Sequence, residues 1–113
     1  MITIYHNPRC SKSKACNFML EDFGEKVQVI NYTKNLFTEK TLAEVIRLLK
    51  IKPIELVRKN EQEWKDNYKG KELTDNKVIK AMVKYPKLIE RPIVVNGNKA
   101  AIGRPLEAVQ AIL

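Results

Sequence analysis

The chain has 113 residues, enough for one domain with a real core and too few for two. A 44% hydrophobic and 30% charged composition excludes a wholly disordered chain, and no apolar run approaches the roughly 18 residues of a membrane span. The net charge of +8 permits nucleic-acid or membrane-surface binding, but it comes mostly from lysines scattered along the chain, the usual solvated surface charge. Ile2-Thr3-Ile4-Tyr5-His6 alternates as a short strand, and Asn7-Pro8-Arg9 breaks it. No basic and apolar leader precedes that strand, so a cytoplasmic protein with reduced thiols is expected. A helix is predicted from Ser11, with Cys16, Met19, Leu20 and Phe23 as its inward stripe and Gly24 as its stop. Val27-Gln28-Val29-Ile30 is the second strand, so the opening is a β-α-β unit with parallel strands.

The middle reads as helical. Thr38 is the expected N-cap of a helix whose apolar stripe is Leu42, Val45, Ile46 and Leu49. Pro53 opens a short helix through Arg58, and Trp64 and Tyr68 share a face. Lys69-Gly70-Lys71 is a loop; Thr74 caps a further helix that stops at Tyr85 because Pro86 cannot continue it. Ile93-Val94-Val95, Asn96-Gly97 and Lys99-Ala100-Ala101-Ile102 read as a hairpin turning at Asn-Gly. Gly103-Arg104-Pro105 then starts a last helix with Leu106, Val109 and Ile112 inward. The expected fold is a single α/β domain over residues 1–113: a thioredoxin/glutaredoxin-like four-stranded mixed sheet, β-α-β then β-β-α, with a helical insertion at about 38–86.

Cys10 is the sharpest chemical feature. It sits between a strand-ending turn and a helix start, where first-turn N–H groups of Ser11, Lys12 and Ser13 and the helix dipole favour a thiolate and an adjacent anion. His6 ends the strand near that turn and, if protonated, would depress the Cys10 pKa further. Cys16 lies within the helix stripe. Six residues of ideal helix turn it about 240° and lift it about 9 Å from Cys10, beyond the roughly 7 Å Cα separation of a disulfide. Position 13 is Ser, so a species formed on Cys10 must be discharged by a thiol from another molecule. Arg9, Arg58, Arg91 and Arg104 lie at element boundaries, where guanidinium forks suit an oxyanion; Arg47 lies mid-helix and reads as solvated. By analogy with thioredoxin-like folds, a cis proline at Pro92 would place Arg91 close to Cys10. One histidine and two cysteines at these spacings match no zinc site, so no metal is expected. Aromatics at 7% with no aromatic-basic motif argue against nucleic acid.

His6-Asn7-Pro8-Arg9-Cys10-Ser11-Lys12-Ser13, Arg58-Lys59-Asn60, Glu90-Arg91-Pro92-Ile93-Val94-Val95 and Gly103-Arg104-Pro105 together resemble the ArsC family of glutaredoxin-coupled arsenate reductases, in its YfgD-like branch. The resemblance spans essentially the whole chain. It implies a thioredoxin-like fold with a helical insertion, with Cys10 as nucleophile, His6 as the histidine that lowers its pKa, and Arg58, Arg91 and Arg104 as oxyanion ligands. Ser11, Lys12 and Ser13 stand where well-studied members carry Gly-Thr-Ser. The implied activity is reduction of arsenate to arsenite, with no bound cofactor, glutathione as co-substrate and glutaredoxin as partner. A monomer that binds neither membrane nor nucleic acid is expected. The family also includes Spx-type RNA-polymerase-binding regulators; these usually carry Cys-x-x-Cys, against Cys10-x-x-Ser13 here. A glutathione-dependent thiol reductase of another substrate is the third reading.

Overall fold

A computed structural model describes residues 2–7, 9–21, 27–32, 34, 37–103 and 106–113, apart from the side chains of Lys12 and Leu106. Arg104, Phe23 and Gly24 therefore lie outside the described residues, as do the side-chain expectations for Lys12 and Leu106. Two compact units are present: one formed by Met1–Asn35 with Arg91–Leu113, the other by Leu36–Glu90.

The first unit is built on a four-stranded mixed sheet in the order β2-β1-β3-β4, with β1 at Ile2–His6, β2 at Val27–Asn31, β3 at Ile93–Asn96 and β4 at Lys99–Ile102. Helix α1, Ser11–Glu21, connects β1 to β2, which pair in parallel from Ile2↔Val27 to His6↔Asn31. β3 runs antiparallel to both β1 and β4. This is the α/β, thioredoxin-like arrangement expected from the element order. Alternation along β1 turns Ile2, Ile4 and His6 to one buried face. Ile2 and Ile4 join Cys16 and Leu20 of α1, Val94 of β3 and Val109 of the final helix α5 (Leu106–Gln110) in one core cluster. His6 is thus the polar end of an otherwise apolar row.

The hairpin turns one residue later than the Asn-Gly signal implies. Asn96 pairs with Lys99 inside the ladder, so the two loop residues are Gly97 and Asn98. Gly97 has φ +62, which fits the positive φ at the first loop position of a type II′ turn. Asn96 instead sends its Nδ2 to the carbonyl of Ile112 at 2.8 Å, tying the chain after α5 to the sheet.

The second unit is helical, with α2 at Glu39–Leu49, α3 at Gln62–Asn67 and α4 at Asp75–Lys84. Thr38 caps α2 as expected, and Thr38 and Thr41 exchange side-chain-to-backbone bonds in a capping box. Leu42, Val45 and Ile46 are buried, as are Val78, Ile79, Ala81 and Met82 of α4. Trp64 and Tyr68 stack at 5.3 Å. The short helix expected to run from Pro53 through Arg58 is a 3-10 turn that ends at Leu56. Beyond it Val57 bridges Ile89; the Arg58 N–H donates to the Leu88 carbonyl at 2.7 Å, and the Glu90 N–H donates to the Leu56 carbonyl at 2.9 Å. Those cross-chain bonds take the groups that a continuing helix would need. Among the described residues no helix is long and apolar enough to cross a membrane.

Candidate active site

Parallel pairing brings the carboxyl ends of β1 and β2 to one end of the sheet, and the start of antiparallel β3 lies at the same end. The turn after β1 is organised by Asn7. Its carbonyl accepts the Cys10 N–H at 3.0 Å, its own N–H donates to Ser13 Oγ at 3.0 Å, and its Oδ1 accepts the Arg9 N–H at 3.0 Å. The Cys10 carbonyl accepts the first helical bond, from the Lys14 N–H at 3.0 Å. Cys10 therefore occupies the N-cap of α1, and the N–H groups of Ser11, Lys12 and Ser13 have no acceptor within the helix. Their partial positive charge, summed with the helix dipole, favours an anion at this point.

Cys10 is buried, and the Arg91 side chain lies close enough to interact with it electrostatically. Burial works against the charge on Arg91. Its interactions with Cys10 and with the Tyr32 phenol outweigh that and hold the Arg91 pKa above its ordinary value. The Arg91–Pro92 peptide is cis, and Arg91 stands beside the cysteine as the fold analogy implied. Tyr32, directly after β2, is fully buried. Burial pushes its phenol pKa up, against the opposing influences of Arg91 and of the Asn7 side chain, so the hydroxyl keeps its proton at neutral pH.

His6 is buried at the end of β1. Burial lowers its pKa, Lys14 lowers it further, and the Ser13 backbone acts in the opposite direction. Its Nδ1 is buried with no hydrogen-bond partner among the described residues. Burial thus favours the neutral imidazole, while Arg91 supplies positive charge near Cys10. Cys16 is fully buried and its thiol is pushed up to about 11 by burial, which keeps it protonated and unreactive near neutral pH.

The ArsC family model matches residues 5–112. The chain belongs to the ArsC family. It is 40% identical to the uncharacterized Escherichia coli K12 protein YfgD, over 99% of this chain and 96% of YfgD. It is also 36% identical to an arsenate reductase of Haemophilus influenzae, over 99% of this chain and 98% of the relative. Among solved structures, an arsenate reductase from Vibrio cholerae superimposes with a TM-score of 0.93 at 38% identity, covering 99% of this chain and 97% of that one.

In this ArsC chain the remaining expected site residues are distributed as follows. Ser13 is fully buried, and its hydroxyl oxygen accepts the Asn7 N–H; Ser11 is exposed at the start of α1. Arg58 belongs to the helical unit and pairs with Glu61 at 3.1 Å, both side chains being about a quarter exposed. Arg104 and the Lys12 side chain lie outside the described residues. Arg9 is exposed, and Arg47, expected to be solvated, is exposed and paired with Glu44. Among the described residues no group of His, Cys, Asp or Glu side chains is placed to hold a metal. Asn7 and Tyr32 were not singled out by sequence reasoning. The signal for Tyr32 was available: in a β-α-β unit the residue after the second strand emerges beside the turn after the first.

Proposed function

We propose that the protein is an arsenate reductase that uses the Cys10 thiolate as nucleophile and outside thiols, glutathione and then glutaredoxin, as reductants. The observation that carries this reading is the Arg91 side chain beside Cys10 at the N-terminus of α1, within a chain of ArsC sequence. A cationic fork beside a thiolate serves two purposes: it favours the ionised sulfur, and it binds an incoming oxyanion next to it. Arg58 and Arg104, by the family pattern, and the first-turn N–H groups complete the oxyanion ligands. His6 acts as a neutral, positioned imidazole.

In the first step sulfur attacks arsenic(V). An S–As bond forms, one As–O bond breaks, and the leaving hydroxide takes a proton to depart as water. Glutathione then attacks this adduct, and a glutaredoxin thiol completes the reduction. Arsenic gains two electrons, two outside thiols become one disulfide, and the net change is arsenic acid plus two thiols to arsenous acid, disulfide and water. Continuous α1 separates Cys10 from buried Cys16, which favours outside thiols over an internal disulfide. Cytoplasmic glutathione supplies the reductant without a prosthetic group.

The test is a coupled assay of the purified protein with arsenate, glutathione, glutaredoxin and a glutathione-recycling system. Arsenate-dependent consumption of reductant that disappears in Cys10→Ser is expected. Absence of arsenate-dependent turnover with fully reduced Cys10 overturns the substrate assignment.

A further inference from the structure

Ser13 lies in the first turn of α1, two residues after exposed Ser11, yet it is wholly buried. An alanine would fill that position as a better helix former and without taking a hydroxyl out of water, a change that is unfavourable unless the group is bonded. The hydroxyl oxygen is bonded: it accepts the Asn7 N–H at 3.0 Å, six residues back. The ladders of β1 end at His6 on the β2 side and at Tyr5 on the β3 side, so Asn7 stands beyond both, and its N–H must find an acceptor elsewhere. In an ordinary capping box the third helical residue accepts the N–H of the N-cap residue. Here the Cys10 N–H is already given to the Asn7 carbonyl at 3.0 Å, and Ser13 reaches past it to the start of the turn. Both backbone groups of Asn7 are thereby bonded forward, one to Cys10 and one to Ser13.

We infer that Ser13 is a positioning residue: its buried hydroxyl closes the turn between β1 and α1 and so holds Cys10 at the head of the helix, without touching substrate. A serine or aspartate at the N-cap would fix such a turn through its own oxygen, but a thiol is a weak acceptor. With a cysteine in that place, Ser13 supplies the oxygen from three positions on. Placement matters because the influence of a helix terminus falls off within its first turn, so a sulfur that drifts from the N-cap loses the N–H groups that favour its charge. The inference deepens the reading of Cys10 as nucleophile and rests on it, but it does not depend on arsenate being the substrate.

The experiment is Ser13→Ala in the full chain, read by thiolate absorbance at 240 nm against pH, with the matching Cys10→Ser variant as blank. The Cys10 midpoint should rise by about half a unit. Ser13→Thr keeps the acceptor oxygen and should keep the midpoint. Cys16→Ala, which loosens the core from the same helix, should leave it unchanged, so general destabilisation is told apart from lost positioning. An unchanged midpoint in Ser13→Ala, or an equal rise in Ser13→Thr or in Cys16→Ala, overturns the inference. A wild-type midpoint at or above the ordinary thiol value overturns the nucleophile reading and this inference with it; a low wild-type midpoint that Ser13→Ala does not move overturns this inference alone. Since the titration needs no substrate, loss of the arsenate assignment would leave its result standing. Amide hydrogen exchange of the wild-type chain keeps the test open should Ser13→Ala fail to fold. The Asn7 N–H should exchange as slowly as the Cys10 N–H; exchange of Asn7 at the rate of an unstructured amide overturns the inference.

Discussion

Gly103 donates its N–H to the Pro92 carbonyl at 2.8 Å, and a Cβ at Gly103 would stand 2.8 Å from Pro92 Cγ and 3.3 Å from Cys16 Sγ. Glycine is required here by close approach. The hydrogen bond prevents retreat on one side and the proline ring blocks the other. Gly103→Ala should therefore cost about 1–3 kcal/mol in urea unfolding. Because Pro92 follows Arg91, it should also raise the Cys10 thiolate midpoint. A variant as stable as the parent, with the same midpoint, would show that the ring can shift freely.

The two cysteines should behave oppositely. Cys10→Ser should abolish arsenate reduction. Cys16→Ala should keep most of it and lose about 1–2 kcal/mol of stability, because Cys16 is a core side chain. With its thiol at about 11, Cys16 should resist iodoacetamide at pH 7 in the folded protein, and mass spectrometry should find the label on Cys10. Equal loss of activity in both variants would require an internal disulfide and unwinding of α1.

The Cys10 thiolate should titrate below the reference of about 8.5, given its place at the N-terminus of α1 and the positive charge of nearby Arg91. Arg91→Gln should move the midpoint upward. A wild-type midpoint at or above the reference would remove the activated nucleophile from the mechanism.

Oxyanion binding should depend on the geometry of the guanidinium and not on charge alone. Arg58→Lys, Arg91→Lys and Arg104→Lys should each lower kcat/KM for arsenate, by roughly 10- to 150-fold for a lost charge-assisted contact. Arg47→Lys, exposed on α2, should leave the kinetics unchanged. Steady-state kinetics of the four variants provide the check, and wild-type values in the first three would sink the oxyanion assignment.

His6 should make the fold acid-sensitive. Its folded pKa lies below the ordinary 6.5, so the unfolded chain takes up the proton first as pH falls. The contribution of the neutral imidazole is fully present above about pH 6.5 and is lost as pH falls from there through the folded pKa. Urea midpoints measured between pH 7.5 and 5 should decline more steeply in the wild type than in His6→Asn. Parallel declines would mean that His6 does not titrate differently on folding.

What the sequence determined by itself is whatever depends on residues close in the chain. Thr38 and Thr74 cap their helices through bonds to residues three positions on. Cys10 falls at an N-cap because a turn and a helix start adjoin there. Cys16 is inward because helix periodicity makes it so. The limits were local too: Asn96-Gly97 signalled a hairpin but not its register, which the Asn96–Lys99 pairing set. Arg58 followed a helix-opening Pro53, yet its backbone was claimed by Leu88, thirty residues away.

Only the tertiary structure decided the chemistry around Cys10. Arg91 and Tyr32 come near Cys10 because three strand ends converge there, a convergence set by the sheet order. The protonation of His6 was likewise decided by burial. As a residue type it titrates near neutrality, but the apolar row of Ile2 and Ile4 carries it into the interior, where desolvation favours the neutral imidazole. Hydrogen-bonding partners across a sheet end and the cost of desolvation are properties of packed neighbours, and the packing exists only once the chain has folded.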